Sequence, residues 1–598
     1  MTGYPSIDKP WLKYYDKDVE KEKVKDESMF QMLERCNEDN LNTVALDLRT
    51  SRNDFKHGLK ITYKEYLDKI KETAKALLSL NIKENEIVPL ILPNIPESRI
   101  LIYALNIIGA TSYPINFMLP SKTLQNIIDE NNVKNLIIFS LFNDKYLECY
   151  RWLNSVLCLN GLESLSYPIR KFVLAKDRIL GENKFITPNF SNIVTWDEFY
   201  QERKKVKENL TPYFNSEHIA TIIGTSGTTG TPKGVCLSDK SINYIALQQL
   251  VGGNFDKKEV NLDALIQSIG YGFSTMHYSG CGGLTNILIS ELITDKFPHV
   301  LCKIKPDHFN GGPIHYENLK KSKEFKDGKI NFVRNLVSGG ATLNKETEKE
   351  LNQVSEGYVE SEDSTTILVR QGLRITENGG CGTCAKKGSY KFGGVGIPLP
   401  LENISIFKPT TDIELPYNTE GEICISGPTI MSKYLNNIEE TEKVLKKHKD
   451  GLTWLHTGDL GKMDEDGHLF ITNRIKQIFM RKGFNVHPQK IADFINSLSL
   501  VEDSVVIGVE QPEEQMVPVA FVVLKDKTID ENVARDILND QAYKSLEETS
   551  NPYEWYFLEE FPRNLGGKVA EQKLIKKFNI NYNPKEKVKV KKVIKVTG

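Results

Sequence analysis

Between Thr221 and Val235 the sequence TIIGTSGTTGTPKGV runs an apolar strand into a loop of glycines and hydroxyls that ends on one lysine. Gly227 and Gly230 allow the backbone to turn its amides inward, Thr225, Ser226, Thr228 and Thr229 add donors, and Lys233 adds a cation. That combination suits a polyphosphate. It is not the GxxxxGK[ST] loop, because no Ser or Thr follows Lys233 and that motif's magnesium ligand is missing. Farther on, HTGDLG places Asp459 between glycines, where its carboxylate can accept two hydrogen bonds of the kind a ribose diol offers. Glu377, after Thr376 at the end of the strand-like ILVRQG, stands at the edge where parallel sheets bind ligands, and a carboxylate there can hold the hard cation Mg²⁺. Gly339, Gly340 and Ala341 permit close backbone approach. Lys568, in a Gly-Gly-Lys turn, reads by itself as a solvated lysine.

These groups need a scaffold, and from about Ile61 the sequence alternates helix and strand. TYKEYLDKIKETAKALLSL has apolar residues at helical spacing and IVPLILPN is a short apolar run. SRILIYALNIIGATSYPIN reads as helix, glycine, strand, and TLQNIIDENN with VKNLIIFS repeats the pattern. The fold class expected is α/β: a large N-terminal domain of parallel sheets flanked by helices, a small β-barrel-like subdomain, and a small mobile α+β C-terminal domain. After Arg474 to Gln477 the chain restarts with IADFINSLSL, SVVIGVEQ and VPVAFVVLKD. The domains expected are residues 1–476, 477–580 and a basic tail, 581–598, whose alternating Lys and Val read as a solvated terminus with at most peripheral membrane contact.

A chain of 598 residues needs at least two domains, and 40% hydrophobic with 26% charged residues is an ordinary globular composition. The formal charge of -2 gives no general attraction to nucleic acid. No apolar run of about 18 residues occurs and the N-terminus has no leader pattern, so the expected location is cytoplasmic. Nine scattered cysteines suit a reducing compartment; Cys381 and Cys384 form a CxxC with no second pair to complete a zinc site, and read as incidental loop thiols.

The stretch Thr221–Val235 resembles the phosphate loop of the ANL superfamily of adenylating enzymes, which takes in acyl- and aryl-CoA synthetases, peptide-synthetase adenylation domains and luciferases. The resemblance extends in order through HYSG at His277, SGGATL at Ser338, QGLRITE at Gln371, GEICISGPTIMSKY at Gly421, HTGDLG at His456, NRIKQIFMRKGFNVHP at Asn473 and PRNLGGKV at Pro562. With the PWLKYY opening, it looks most similar to bacterial long-chain fatty acyl-CoA ligases. It implies that Mg-ATP is attacked by a carboxylic acid, a fatty acid being favoured, and that a thiol, coenzyme A, then takes the acyl group from the adenylate. By resemblance Thr225 to Gly230, Lys233, Gly339 to Ala341, Leu373 and Arg374 line the nucleotide, Asp459 grips the ribose with Arg474 beside it, and Thr376 contacts the α-phosphate. Glu377 and Thr228 serve Mg²⁺, and Lys568 bridges the substrate carboxylate and α-phosphate. His277 and Gly280 border the acyl pocket, Lys482 and Gly483 turn towards the thiol channel, and Gln477 is the hinge about which the small domain rotates between steps.

Three positions depart from the family pattern. Leu373-Arg374 stand where Tyr-Gly is usual, Gln477 replaces the commoner Asp or Lys, and Asn564-Leu565-Gly566 replace a Thr/Ser-rich turn before Lys568. No cation is plainly placed for a second carboxylate on the substrate. A separate acyl carrier protein is the alternative acceptor, an aryl or steroid acid the alternative substrate. A catalytically weak nucleotide or acyl sensor is a further alternative, motivated by Leu373 and Arg374 and opposed by Lys233, Glu377, Asp459, Arg474 and Lys568. A nucleic-acid binder would rest on the tail alone.

Overall fold

A computed structural model describes residues 2–51, 54–139, 143–146, 148–149, 153–159, 192–225, 232–252, 255–289, 295–330, 332–354, 358–359, 369–386, 388–482, 484–511, 515–563, 568–578 and 580. The chain divides into two compact units, the second comprising Thr228–Gly230, Gly458–Leu460 and Thr472–Gly598.

The first unit carries two large sheets. One has eight strands, in which Ile219–Gly224, Thr111–Pro114, Ile87–Ile91, Asn135–Phe139, Ser155–Leu159 and Ile193–Thr195 lie parallel in that order, while Gly234–Ser238 and Lys433–Tyr434 close one edge antiparallel. The other has seven, with Val369–Gly372, Asn335–Gly339, His308–Gly311, Val260–Asp263, Thr285–Ile289 and Val44–Arg49 parallel and Leu59–Thr62 antiparallel at the rim. Helices fill the space around them because their sequences end and face correctly. Thr62 caps the helix Tyr63–Leu77 in a reciprocal box with Glu65, and Tyr66, Leu67, Ile70, Ala74 and Leu77 turn one face inward. The helix Pro96–Ile107 is buried along its whole length, with Arg99 donating to Asp263 and Asn106 to Asp239 so that these polar side chains are paired. Gly109 follows it at φ +74°, a conformation that releases the chain into the strand Thr111–Pro114 and that a side chain would strain.

The expected β-barrel-like subdomain is corrected by the structure. Asn403–Phe407, Gly421–Ser426, Thr453–Met463, Leu445–Lys447 and Leu469–Arg474 form a five-stranded sheet that stays open, with no pairing among the described residues that joins its ends. Its apolar face, including Ile404, Ile406, Ile423, Ile425 and Leu455, is satisfied by packing instead of by closure.

The second unit has its own sheet, ordered Phe484–Val486, Phe479–Arg481, Gln515–Leu524, Val501–Gln511, with Glu554–Leu558 parallel to Gln515–Leu524. Two apolar clusters cover its faces, one with the helices Pro488–Ser497 and Glu531–Ser545, the other with Glu571–Lys577. Among the described residues no helix is long and apolar enough to cross a membrane.

Candidate active site

The phosphate-type loop is the tip of a hairpin. Gly224 pairs with Gly234 across the antiparallel strands, and the Thr225 amide donates to the Lys233 carbonyl at 2.9 Å, so the loop is pinned at its neck. Ser226, Gly227, Thr228, Thr229 and Gly230 lie outside the described residues. Lys433–Tyr434 adds to the same edge with Tyr434 opposite Val235, and the short helix Ile438–Val444, capped by Asn437 accepting from the Glu440 amide at 3.0 Å, follows it. This brings four side chains together. Lys233 donates to Glu440 and its Nζ sits 4.8 Å over the Tyr434 ring, while the Tyr434 hydroxyl donates to Glu377 Oε1 at 2.6 Å. The Met431 amide holds the Glu377 carbonyl at 2.8 Å. Burial, with Glu377 beside it, raises the Tyr434 phenol far above its ordinary range, so it remains a donor.

Lys233 and then Lys443 hold the Glu440 carboxyl down at about 2. Because this folded value is depressed from 4.5, the stabilisation is present above pH 4.5 and is lost as the pH falls towards 2. For Lys233 to reach a phosphate it must leave Glu440. A partly exposed pair is worth up to about 1 kcal/mol, so Glu440→Gln is expected to lower the KM for ATP by up to about fivefold. Initial rates against ATP concentration read this directly, and an unchanged or raised KM would mean that Lys233 works while paired.

At the carboxyl ends of two parallel strands, Gly339 and Gly372 lie side by side. Gly340 has φ +84° with open space where its Cβ would be, and Ala341 is exposed. Thr376 opens the turn Thr376–Asn378 against Gly270, first residue of the buried helix Gly270–Cys281. Three of the expected site residues are packed against their neighbours here. Leu373 is 4% exposed and packs with Val395 and Ile397, so it offers no side-chain surface to a nucleotide. His277 is 1% exposed, with Nδ1 bonded to the Tyr103 hydroxyl at 2.9 Å and Nε2 to Asn243 Oδ1 at 3.1 Å. Burial holds it neutral, down at about 3, and its two hydrogen bonds tie it to the neighbouring helices. Gly280 is a packing glycine: a Cβ there would meet Leu33 Cδ1 at 3.0 Å, and its carbonyl accepts from Asn37 and Tyr63.

In the second unit Asp459, 5% exposed, accepts from Arg474 Nε at 2.6 Å, so the two expected ribose residues meet. Gln477 Nε2 donates to Glu571 Oε1 at 3.3 Å, and burial raises the Glu571 carboxyl. Lys482, at φ +49°, follows the strand Phe479–Arg481, which pairs antiparallel with Phe484–Val486, and its Nζ lies 3.4 Å from Glu548. Gly483 itself is outside the described residues. Lys568 stands where an antiparallel bridge between Arg563 and Val569 closes a short loop just before the helix Glu571–Lys577.

Cys381 is buried with its thiol 3.5 Å from Ser274 Oγ, and Cys384 is bonded to the Ala385 carbonyl; neither belongs to a group of three metal-ligating side chains among the described residues. Sequence reasoning missed Tyr434 and Glu440. Tyr434 had a signal, closing the motif that begins at Gly421. Glu440 had none, since NIEETEK reads as a solvated helical face.

With this geometry in place, comparison with known proteins gives a consistent answer. Residues 33–435 match the family described as AMP-binding enzyme, and residues 490–568 the AMP-binding enzyme C-terminal domain. The chain is 26% identical over 545 residues to a long-chain-fatty-acid–CoA ligase of Bacillus subtilis, covering 88% of this chain and 92% of the relative. It is 25% identical to 4-coumarate–CoA ligase 4 of Arabidopsis thaliana, covering 86% of each. Among solved structures, that of an anthranilate CoA ligase in complex with anthranoyl-AMP superposes with a TM-score of 0.74 at 18% identity, over 92% of this chain and 97% of that one.

Proposed function

The chain belongs to the AMP-binding enzyme family, and from that membership we propose that it is an AMP-forming acid–thiol ligase that joins a carboxylic acid to coenzyme A through an acyl-adenylate. In the first step an oxygen of the acid's carboxylate attacks the α-phosphorus of ATP and the bond to pyrophosphate breaks. In the second the thiol sulfur attacks the acyl carbon, AMP leaves, and the thiol proton passes to solvent. No covalent enzyme nucleophile is required; the protein contributes positioning and charge.

The observation that carries this reading is the cluster of Lys233, Tyr434 and Glu377 at the neck of the Gly/Thr loop, which pairs a phosphate-binding cation with an oxygen ligand. Mg²⁺ fits that donor set: Tyr434 holds Glu377 Oε1, leaving Oε2, and this ion takes one or two carboxylates together with phosphate oxygens and water. When bound, it would neutralise phosphate charge. Lys233 orients the phosphates, Thr376 lies beside the α-phosphate, Asp459 with Arg474 holds the ribose, Lys568 serves adenylation and Lys482 with Gly483 the thiol step. Gln477 is the hinge in this reading. The relatives of like identity are named for a fatty and for an aromatic acid, so similarity alone favours neither substrate.

The test is carboxylate-dependent AMP release from ATP across fatty, aryl, steroid and amino acids, with and without coenzyme A. AMP that requires both an acid and coenzyme A supports the ligase. AMP that appears with an acid only when a phosphopantetheine-bearing carrier protein replaces coenzyme A would transfer the second step to that acceptor. No turnover with any acid would sink the proposal.

A further inference from the structure

The sequence shows no cation plainly placed for a second acidic group on the substrate; the fold supplies one in Arg374. This residue follows the parallel strand Val369–Gly372, and its side chain turns back across the neighbouring strand end. A Cβ at Gly339 would come within 2.6 Å of Arg374 Cγ, and one at Gly372 within 3.2 Å of its Cζ, so both glycines are needed for the side chain to lie there. The guanidinium carbon sits 5.0 Å from the centroid of the Tyr271 ring, and Tyr271 is itself fixed by its hydroxyl donating to Asn310 Oδ1 at 2.9 Å. Yet Nε and Nη1 of Arg374 are buried and, among the described residues, neither has a hydrogen-bond acceptor.

Among the described residues no carboxylate forms an ion pair with Arg374. Glu402 is the carboxyl that feels its charge; its Oε1 accepts from Asn378 Nδ2 at 3.0 Å and from the Thr429 hydroxyl, and its Oε2 is buried and makes no bond to the guanidinium. Burial raises Glu402 to about 7, which weakens it further as a counter-ion. The Cys381 thiol beside it is raised by burial and engaged with Ser274, so it too stays neutral. A buried guanidinium lacking acceptors is costly, whereas a planar, forked donor meets a carboxylate in two parallel bonds. Arg374 also lies only three residues before Glu377, on the segment that carries the phosphate-side cluster. The cation therefore stands at the strand-end site without being consumed by the fold.

We propose that Arg374, floored by Gly339 and Gly372 and backed by Tyr271, is the specificity determinant for an acid that carries a second carboxylate, so that the preferred substrate class is a dicarboxylic acid. This rests on the ligase reading above and names the substrate of that same site. The unreactive carboxylate takes the Nε and Nη1 donors, and the other is left to be adenylated. A methyl-ended acid of the same length leaves those donors bare and loses the charge-assisted bonds.

The experiment uses the purified full chain and matched probes: succinate, adipate and suberate against butyrate, hexanoate and octanoate. Binding is followed by calorimetry in the presence of a non-hydrolysable ATP analogue, so that it does not depend on turnover. At least one diacid is expected to bind tenfold or more tightly than its matched monoacid, the least that charge-assisted hydrogen bonds to a buried guanidinium should give. Arg374→Met is expected to bring the pair to within about twofold, and Arg374→Lys to keep part of the preference and report that the site still folds. A wild-type protein that favours the monoacid at every length, or an Arg374→Met protein that retains the diacid preference, overturns the proposal. So does a variant that loses affinity for the ATP analogue alone, since that would assign the guanidinium to the nucleotide. A diacid preference that depends on Arg374, without AMP release from any acid, would uphold this site while sinking the ligase reading, so the two failures remain distinct.

Discussion

Lys568→Ala is expected to cut acid-dependent pyrophosphate exchange by at least a hundredfold while thioester formation from supplied acyl-adenylate stays within about threefold. The lysine is firmly mounted. Arg563 and Val569 bridge antiparallel, the Ala570 amide donates to the Pro562 carbonyl at 2.6 Å, and Arg563 is anchored by Asp503 at 2.9 Å. Val569 packs against the cluster that contains the buried Leu574 of the following helix, so both sides of the turn are braced. In the proposed role this half-buried cation meets charge developing on a transferring phosphoryl group, and deleting one preorganised donor of this kind costs roughly a hundred- to a thousandfold in rate. The second step moves no phosphoryl charge and should be spared. If the alanine variant formed acyl-adenylate normally and failed only at the thioester, the role would belong to the other step. Lys568→Arg, which keeps the charge but changes its reach, should recover a fraction of exchange and separate loss of cation from loss of fold.

What the sequence disclosed follows the range of the physics involved. The helix Tyr63–Leu77 and the strands Ile87–Ile91 and Asn135–Phe139 are legible because period, caps and turn residues all lie within the segment itself. Lys233 was legible from its loop, but its ion-pair partner Glu440 lies far along the chain and arrives by way of a two-residue strand, Lys433–Tyr434, too short to show any period. Leu373 and Arg374 were read together as nucleotide contacts. Extended backbone sends successive side chains to opposite sides, so Leu373 enters the core while Arg374 crosses the glycines. The small and aromatic residues around His277 looked like a pocket wall, and the structure spends them on close helix packing, with Gly280 against Leu33 and His277 tied to Tyr103 and Asn243. A residue's type states what it can bond; only the tertiary neighbours state whether that capacity is already used.

Asp459→Ala should raise the KM for ATP by about ten- to a hundredfold, the range expected when a charged acceptor of hydrogen bonds worth roughly 1.5–3 kcal/mol is removed. Asp459 is almost fully buried whereas the side chain of Arg474 is 54% exposed, so the pair presents one fixed carboxylate and one cation open to solvent. A ribose diol can donate to a carboxylate, and Arg474 steadies that of Asp459 against rotation. The substitution also strands part of a buried interaction, so a global loss of stability could mimic weak binding. Asp459→Asn answers this, because it fills the same volume and keeps an acceptor for Arg474 while losing the charge and half the acceptor capacity. Both variants should therefore bind an ATP analogue less tightly in calorimetry, with the asparagine protein melting close to the parent. An unchanged affinity in a folded asparagine variant would remove Asp459 from the nucleotide site and leave it as a structural partner of Arg474.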